Sequence, residues 1–266
     1  MLAKKLKFIL FIPVLPLFFS FLFNKPSNFK EDQLIVWNVG QGQMVTYLSD
    51  RYCHHFDMGG EKGKFPKKKI FKLCKKKKNR VRYTHWDWDH IGFSSQAKRI
   101  FPSLCRVVLP GQGLPKKRNK RRVIQKIPPC VAQNYPSIKE LLWPKTVQPR
   151  NSNESSRIFI IKNRVLIPGD SNNRMERYWS SLIEDPIQVL VVGHHGSRSS
   201  TSNFLLNSLP HLNLAVVSAR RKRYGHPHIQ TVKMLKNRGV PLHSTEDFHH
   251  IRIPLREGKK LTARPF

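Results

Sequence analysis

Six consecutive positions, His85-Trp86-Asp87-Trp88-Asp89-His90, hold four side chains able to ligate a divalent cation. They follow a strand read at Arg80–Tyr83 and run into Ile91-Gly92. In an extended or looped segment alternate residues point the same way. His85 and Asp87 can therefore share one ion, while Asp89 and His90 turn to a second. Only 16 of the 266 residues are acidic, so two of them beside two histidines form a built cluster. Three further sites share its character, an apolar run ending in a ligand-type residue. Asp170 follows Val165–Gly169, His194 and His195 follow Val189–Gly193, and His226 follows Leu212–Ser218 across a basic loop, in Tyr224-Gly225-His226-Pro227. Polar groups at strand ends of α/β sheets converge on one rim. Together these residues complete a site for two divalent ions, a pair that can activate water and orient a phosphodiester.

The elements that must carry these residues are legible from hydropathy and turn residues. Leu34–Val36 reads as a strand running into Gly40-Gln41-Gly42, and Met44–Leu48 and Tyr52–Phe56 as short strands about Ser49-Asp50. Asp57-Met58-Gly59-Gly60 then closes the second of these. Residues 62–82 hold twelve Lys or Arg and read as a basic helix or loop ending in a strand at Arg80–Tyr83. A second basic run spans Lys116–Lys126. Arg157–Ile161 and Arg164–Ile167 form a hairpin pattern, and residues 174–183 are helix-like. Ile187–Val192 and Leu212–Ser218 are continuous apolar runs of buried-strand type, and Thr231–Arg238 is a helix stopped by Gly239. Buried strands alternating with helices predict one α/β domain.

The N-terminus is a separate object. Lys4, Lys5 and Lys7 precede sixteen uncharged residues, Phe8–Phe23. This predicts a signal peptide or signal anchor over residues 1–25, with cleavage and retention both open. Either one exports the chain, to be periplasmic, membrane-anchored or secreted. Cys53, Cys74, Cys105 and Cys130 contain no C-x-x-C pair, which excludes a thiolate zinc ribbon. In an exported protein one or two disulfides are expected, with unpaired thiols the alternative; spacing alone gives no connectivity.

The motifs, in their order, resemble the metallo-β-lactamase superfamily, and within it the nuclease-like C-terminal domain of the ComEC family of DNA-uptake channel proteins. The resemblance rests on Val39-Gly40-Gln41-Gly42, Asp57-Met58-Gly59, His85 through Gly92, Asn153-Glu154-Ser155-Ser156, Gly169-Asp170, Val192-Gly193-His194-His195-Gly196-Ser197 and Tyr224-Gly225-His226-Pro227. It implies a four-layer αββα sandwich over residues 30–266, a stand-alone domain with basic insertions near 62–82 and 116–126. It further implies that His85 and Asp87 serve one metal, Asp89 and His90 the other, and that Asp170 bridges. His194 is favoured over His195 as the late ligand because it directly follows a strand and a glycine. His195, Ser197 and His226 are then candidates for phosphate contact or leaving-group protonation, alongside Asp89 and Asp170 in the catalytic set. Asp57, Asn153 and Ser156 would brace the ligands, and Gly40, Gln41 and Gly42 would border the substrate. Two departures stand out. Asn38 and Gln43 occupy positions where the family commonly has Asp, and no third histidine serves the first metal, which predicts a weaker first site.

Charge narrows the substrate. The chain carries 49 basic and 16 acidic residues, net +33. Without residues 1–25 it keeps 45 basic residues against the same 16 acids, net +29, so the excess belongs to the body. Arg220, Arg221, Lys222 and Arg223 sit immediately before Tyr224 and His226. A basic rim of this kind suits a polyphosphate backbone. Trp86 and Trp88 can stack on a splayed base or pack to hold the ligand loop. The expectation is a two-metal DNase acting on single- or double-stranded DNA without marked sequence preference, linked to extracellular or imported DNA. Oxygen-rich ligation tilts the metal toward manganese, with zinc the alternative. The partners expected are DNA, a membrane if the leader is retained, and a separate channel protein. The rival readings are a hydrolase of a small anionic substrate (lactone, phosphoester or nucleotide) and a non-catalytic, membrane-tethered DNA-binding protein.

Overall fold

Alternation along the first strand organises the molecule. In Leu34-Ile35-Val36-Trp37 all four side chains are buried, but Leu34 and Val36 join one apolar cluster while Ile35 and Trp37 join another. A strand apolar on both faces must be covered on both. The computed structural model describes residues 31–131, 134–142 and 146–266; the leader expected at 1–25 lies outside the described residues.

Thirteen strands are described: β1 (Gln33–Val36), β2 (Val45–Leu48), β3 (Tyr52–Phe56), β4 (Lys78–Arg82), β5 (Cys105–Arg106), β6 (Ile138–Leu141), β7 (Ile158–Ile161), β8 (Val165–Ile167), β9 (Val189–Val191), β10 (Leu214–Val217), β11 (Leu242–Ser244), β12 (Ile251–Pro254) and β13 (Arg264–Pro265). One sheet has the order β13-β12-β1-β2-β3-β4-β5, the other β11-β10-β9-β8-β7-β6. Within the first, β3, β4 and β5 are parallel; within the second, β8 through β11 are parallel. The inner faces meet through Leu34, Val36, Phe56, Phe159, Val189 and Val216.

Helices cover the outer faces. α1 (Lys67–Cys74), α2 (Trp88–Ile91), α3 (Ser94–Ile100) and α4 (Arg118–Gln125) lie with the first sheet. They contribute Ile70, Ile91, Ala97 and Ile124 to its outer cluster. On the second sheet, α5 (Asn173–Trp179), α6 (Asn203–Asn207) and α8 (Ile229–Asn237) bury Met175, Trp179, Leu205 and Leu235. α7 (Arg221–Tyr224) and α9 (Thr245–Phe248) are single turns near one rim. The result is the four-layer αββα sandwich expected from the sequence.

Both basic runs contribute to the fold. Residues 62–82 supply α1, which buries Ile70 and Cys74, and then β4; the run Lys116–Lys126 supplies α4. Strands β5, β6 and β11 through β13 have no counterpart among the strands expected from the sequence. β12 reads as ordinary alternation, with Ile251 and Ile253 facing the inner core. Its identity as a strand comes from pairing with β1, Leu34 opposite Ile253, more than two hundred residues away in sequence. Not every histidine belongs to the rim site. His55 on β3 is fully buried between Thr46 and Asn79, and burial pushes its pKa down to about 4. Among the described residues no helix is long and apolar enough to cross a membrane.

All four cysteines pair. Cys53 on β3 joins Cys74 at the end of α1, and Cys105 on β5 joins Cys130 beyond α4. The bonds close loops of 21 and 25 residues' separation: the first ties α1 to the sheet beneath it, and the second joins β5 to the segment after α4 against the inner core. Replacing Cys53 and Cys74 together by Ala should lower the unfolding free energy by about 3 kcal/mol, seen as a lower urea midpoint.

Candidate metal centre

The cluster forms where parallel strands of both sheets end. The ligand loop leaves β4 and passes through Tyr83 and Thr84 into the single turn α2. Asp170 follows β8, and the His194-His195 pair follows β9. Ligand atoms of Asp89, His90, Asp170 and His195 all lie within 4.8 Å of one another. His90 Nε2 is 3.1 Å from Asp170 Oδ1, and His195 Nε2 is 3.3 Å from Asp89 Oδ2 and 3.7 Å from Asp170 Oδ2. His85 Nε2 sits 3.5 Å from Asp87 Oδ2 and 4.0 Å from Asp170 Oδ2.

Each of these three imidazoles is oriented by its other nitrogen. His90 Nδ1 donates to Asp57 Oδ2 at 2.7 Å. His195 Nδ1 donates to the Ser218 carbonyl at 3.1 Å. His85 Nδ1 lies 3.0 Å from Thr84 Oγ1, whose own proton goes to Asp57, and 3.3 Å from Ser156 Oγ. With Nδ1 protonated, Nε2 presents a bare lone pair, which is how histidine binds a cation. The Nε2 atoms of His85, His90 and His195 and Asp170 Oδ1 are buried without a hydrogen-bond partner. Several lone pairs aimed at one buried point with no donor are costly unless a cation collects them. The donor set therefore fits a divalent ion.

Charge agrees with geometry. Burial opposes the charged form of His90, but the Asp170 and Asp57 carboxylates outweigh it and hold its pKa well above the usual value, so the ring keeps a proton on Nε2 until a cation takes that proton's place. Burial likewise opposes ionised Asp170, yet the His90 and His195 rings hold its pKa well below the carboxylate range. Asp87 is held low chiefly by the His85 ring, whose Nε2 lies 3.5 Å away, with Lys120 assisting against a smaller opposing effect of burial. The pocket stabilises negative carboxylates and demands a positive partner.

Asp57 holds this arrangement. Its fully buried carboxylate accepts from Thr84 N and Thr84 Oγ1 at 2.7 Å each, from Gln43 Nε2 at 2.8 Å and from His90. Gln43 thus serves as a donor to Asp57. Its backbone N–H also holds the Asp89 carbonyl, while Met58 N–H holds that of His90. Gly59 lies so close beneath the loop that a Cβ there would stand 2.1 Å from the Asp89 carbonyl.

No protein-family model matches the chain. It is 29% identical over 117 residues, 43% of its length, to Recombination protein 2 of Haemophilus influenzae. It is 25% identical over 178 residues, 61% of its length, to ComE operon protein 3 of Bacillus subtilis. The chain spans only 15% and 23% of those two proteins. Among solved structures, a CmlA β-hydroxylase (E377D mutant) superposes with TM-score 0.53 at 13% identity, covering 85% of this chain and 54% of that one. A metallo-β-lactamase fold protein from Bacillus subtilis, YhfI, superposes with TM-score 0.43 at 12% identity, covering 80% and 95%. The fold is that of the metallo-β-lactamases. Its curated relatives make the chain similar to the ComEC type.

Within this metallo-β-lactamase fold the adjacent histidines differ from the expectation. Both occupy left-handed backbone, φ +49° and +53°, at a cost of about 1–3 kcal/mol each. The tight turn sends His195, not the favoured His194, into the cluster with Asp89 and His90. His194 Nε2 stands 3.7 Å from Asp170 Oδ2, the oxygen that also lies 4.0 Å from His85 Nε2, and Asn153 Nδ2 lies 3.2 Å from that His194 nitrogen. Ser156 Oγ accepts from Asp170 N at 3.0 Å as well as reaching His85, so Asn153 and Ser156 both abut the cluster.

The remaining candidates line the approach. Gln41 Nε2 is 3.0 Å from His226 Nδ1, and the His194 and His226 rings are 6.4 Å apart. Gly40 and Gly42 shape the turn around Gln41, each at positive φ. Ser197 Oγ bonds Ser199 Oγ, which in turn reaches His194 Nδ1. The basic loop divides: Arg220 is paired with Glu61 at 2.6 Å and Arg221 with Asp247 at 3.6 Å, whereas Lys222, Arg223 and Tyr224 are exposed on α7. The tryptophans divide too. Trp86 packs on Tyr83 at 5.4 Å, while Trp88 is 44% exposed. Sequence reading missed Gln43, Ser218 and Lys120 as contributors; only Thr84, adjoining the motif, carried a local signal. Asp57→Asn should weaken divalent binding about 10- to 100-fold while leaving the far-ultraviolet circular dichroism unchanged, measured by manganese and zinc titration.

Proposed function

We propose that the protein is a metal-dependent phosphodiesterase acting on DNA, a two-metal nuclease of the ComEC type. The observation that carries this reading is a groove of about 1040 Å³ shared by His85 and Asp87 with Trp86, Lys116, Lys117 and Lys120. A groove edged by lysines, into which His85 and Asp87 of the cluster open, suits a polyanion better than a small ligand held in an enclosed pocket. The fold alone carries no reaction, since unrelated chemistries share it. Divalent ions held by His85, Asp87 and His194 on one side and Asp89, His90 and His195 on the other, with Asp170 between, would supply Lewis acidity toward water and a phosphate oxygen.

The chain's own groups account for orientation. Gln41 Oε1 accepts from Arg220 N at 3.3 Å, so its amide N–H donates to His226 Nδ1. That fixes the tautomer, leaving His226 Nε2–H as a donor toward a phosphate or leaving oxygen. Burial, followed by the nearby His195 and His194, lowers the His226 pKa and favours this neutral form. Lys222 and Arg223 extend the basic surface beyond His226. Residues 1–25 would export or tether the domain, with DNA the macromolecular partner and a separate channel protein a further one.

Purified protein with manganese or zinc should cut plasmid and single-stranded DNA. Chelator and Asp170→Ala should each abolish cutting. Salt-sensitive binding without cleavage under any metal would favour the non-catalytic reading, and neither binding nor cleavage the small-substrate one. Replacing Lys222 and Arg223 by Ala should weaken DNA binding and reduce the log–log salt slope by about 0.7 to 0.9 for each phosphate no longer neutralised, with metal content intact. Loss of metal in that variant would mark α7 as structural instead.

A further inference from the structure

The donors around Asp170 fall into two sets of unequal readiness. On one side, Nε2 of His90 and His195 and Oδ1 of Asp170 are buried without a hydrogen-bond partner, and Asp89 completes the set. On the other, His85 Nε2 is equally bare, but the two outer donors are engaged. Asn153 Nδ2 lies 3.2 Å from His194 Nε2, and Lys120 Nζ lies 2.8 Å from Asp87 Oδ1.

Lys120 is well placed to matter. It belongs to α4, the helix built from the second basic run, and its side chain is only 11% exposed. Its ammonium also lies 6.0 Å from the centre of the exposed Trp88 ring, so it reaches across the outside of the ligand loop. An ammonium and a divalent cation compete for the same carboxylate. A cation entering the His85 side must share Asp87 with a positive charge 2.8 Å away, a repulsion the Asp89 side does not face.

The groove supplies the means of relief. Lys116, Lys117 and Lys120 line it together with His85 and Asp87. A phosphodiester backbone lying there presents anionic oxygens to the same ammonium. Moving Lys120 from Asp87 to a phosphate exchanges one ion pair for two, phosphate with lysine and carboxylate with the incoming cation.

We propose that Lys120 gates the second cation site. Paired with Asp87, it holds the site of His85, Asp87, Asp170 and His194 at low affinity. A polyphosphate backbone in the groove draws the ammonium away and frees Asp87 for the ion. Substrate and second cation thereby bind cooperatively, each raising the affinity of the other by the same factor. The inference rests on the metal-centre reading and is independent of whether DNA is cut.

The test is a manganese titration of the purified protein by calorimetry, with bound ion counted by elemental analysis after dialysis. The wild type should show one tight ion and a second at least about tenfold weaker. Lys120→Met, and Lys120→Gln should the first misfold, should tighten only the second event, by about tenfold. Lys120→Arg should keep the wild-type asymmetry, and Asp87→Asn should remove the second event alone. A short phosphorothioate oligodeoxynucleotide should tighten the second event in the wild type and not in Lys120→Met. Two equal sites in the wild type would overturn the gate. So would a second event unmoved by Lys120→Met, or an oligonucleotide effect that survives it. No manganese bound to any variant would overturn the metal-centre reading along with it. The predicted asymmetry without cleavage would uphold the gate and overturn the nuclease alone.

Discussion

A single buried carboxylate holds the rim together. Asp57 directly follows β3 and is fully buried, and its oxygens receive Gln43, Thr84 twice and His90. An ionised carboxylate in such a place costs several kcal/mol unless its lone pairs are filled. Filling them forces the loop after β1, the end of β3, the loop after β4 and α2 into one arrangement. The same bond that satisfies Asp57 fixes the tautomer of His90, so the fold's need to satisfy a buried charge and the site's need for an oriented imidazole are met by one contact.

Beyond Asp57 the rim concentrates acid in a chain that is overwhelmingly basic. Asp87, Asp89 and Asp170 crowd against three imidazoles whose outward nitrogens are buried without a hydrogen-bond partner. The electrostatic demand is local, and the surrounding excess of Lys and Arg cannot meet it because most of those side chains sit in solvent. Lys120 is the exception, reaching Asp87 from α4. The two halves of the cluster are therefore unequal before any ligand arrives.

The basic runs have two roles that composition cannot separate. Residues 62–82 look like a solvated polycation, yet they build a helix bonded by a disulfide to β3 and a strand inside the first sheet. Arg220 likewise reads as part of a phosphate-binding run, but it is committed to Glu61. What remains for a polyanion is a smaller set, at the groove by α4 and on α7. Net charge of +33 sets the sign of the partner; the pairing of individual side chains decides which of them are free to meet it.

Much of this was legible from residue order. The ligand types, their positions after apolar runs and the paired coverage of each strand follow from local chemistry, because hydropathy period and turn residues act over a few positions. His85 through His90, Asp170 and a histidine after β9 follow on that basis, whereas the bracing by Asp57 is what the family resemblance implies. Tertiary structure decided what depends on distance across the chain. Left-handed turns at His194 and His195 chose His195 for the inner cluster, reversing the order that strand and glycine suggest. Disulfide pairing needed the positions of α1 and β5. The roles of Ser218, Gln43 and Lys120 arose because strand ends from two sheets meet at one rim, and no spacing along a sequence records which distant side chains that meeting brings within 3 Å.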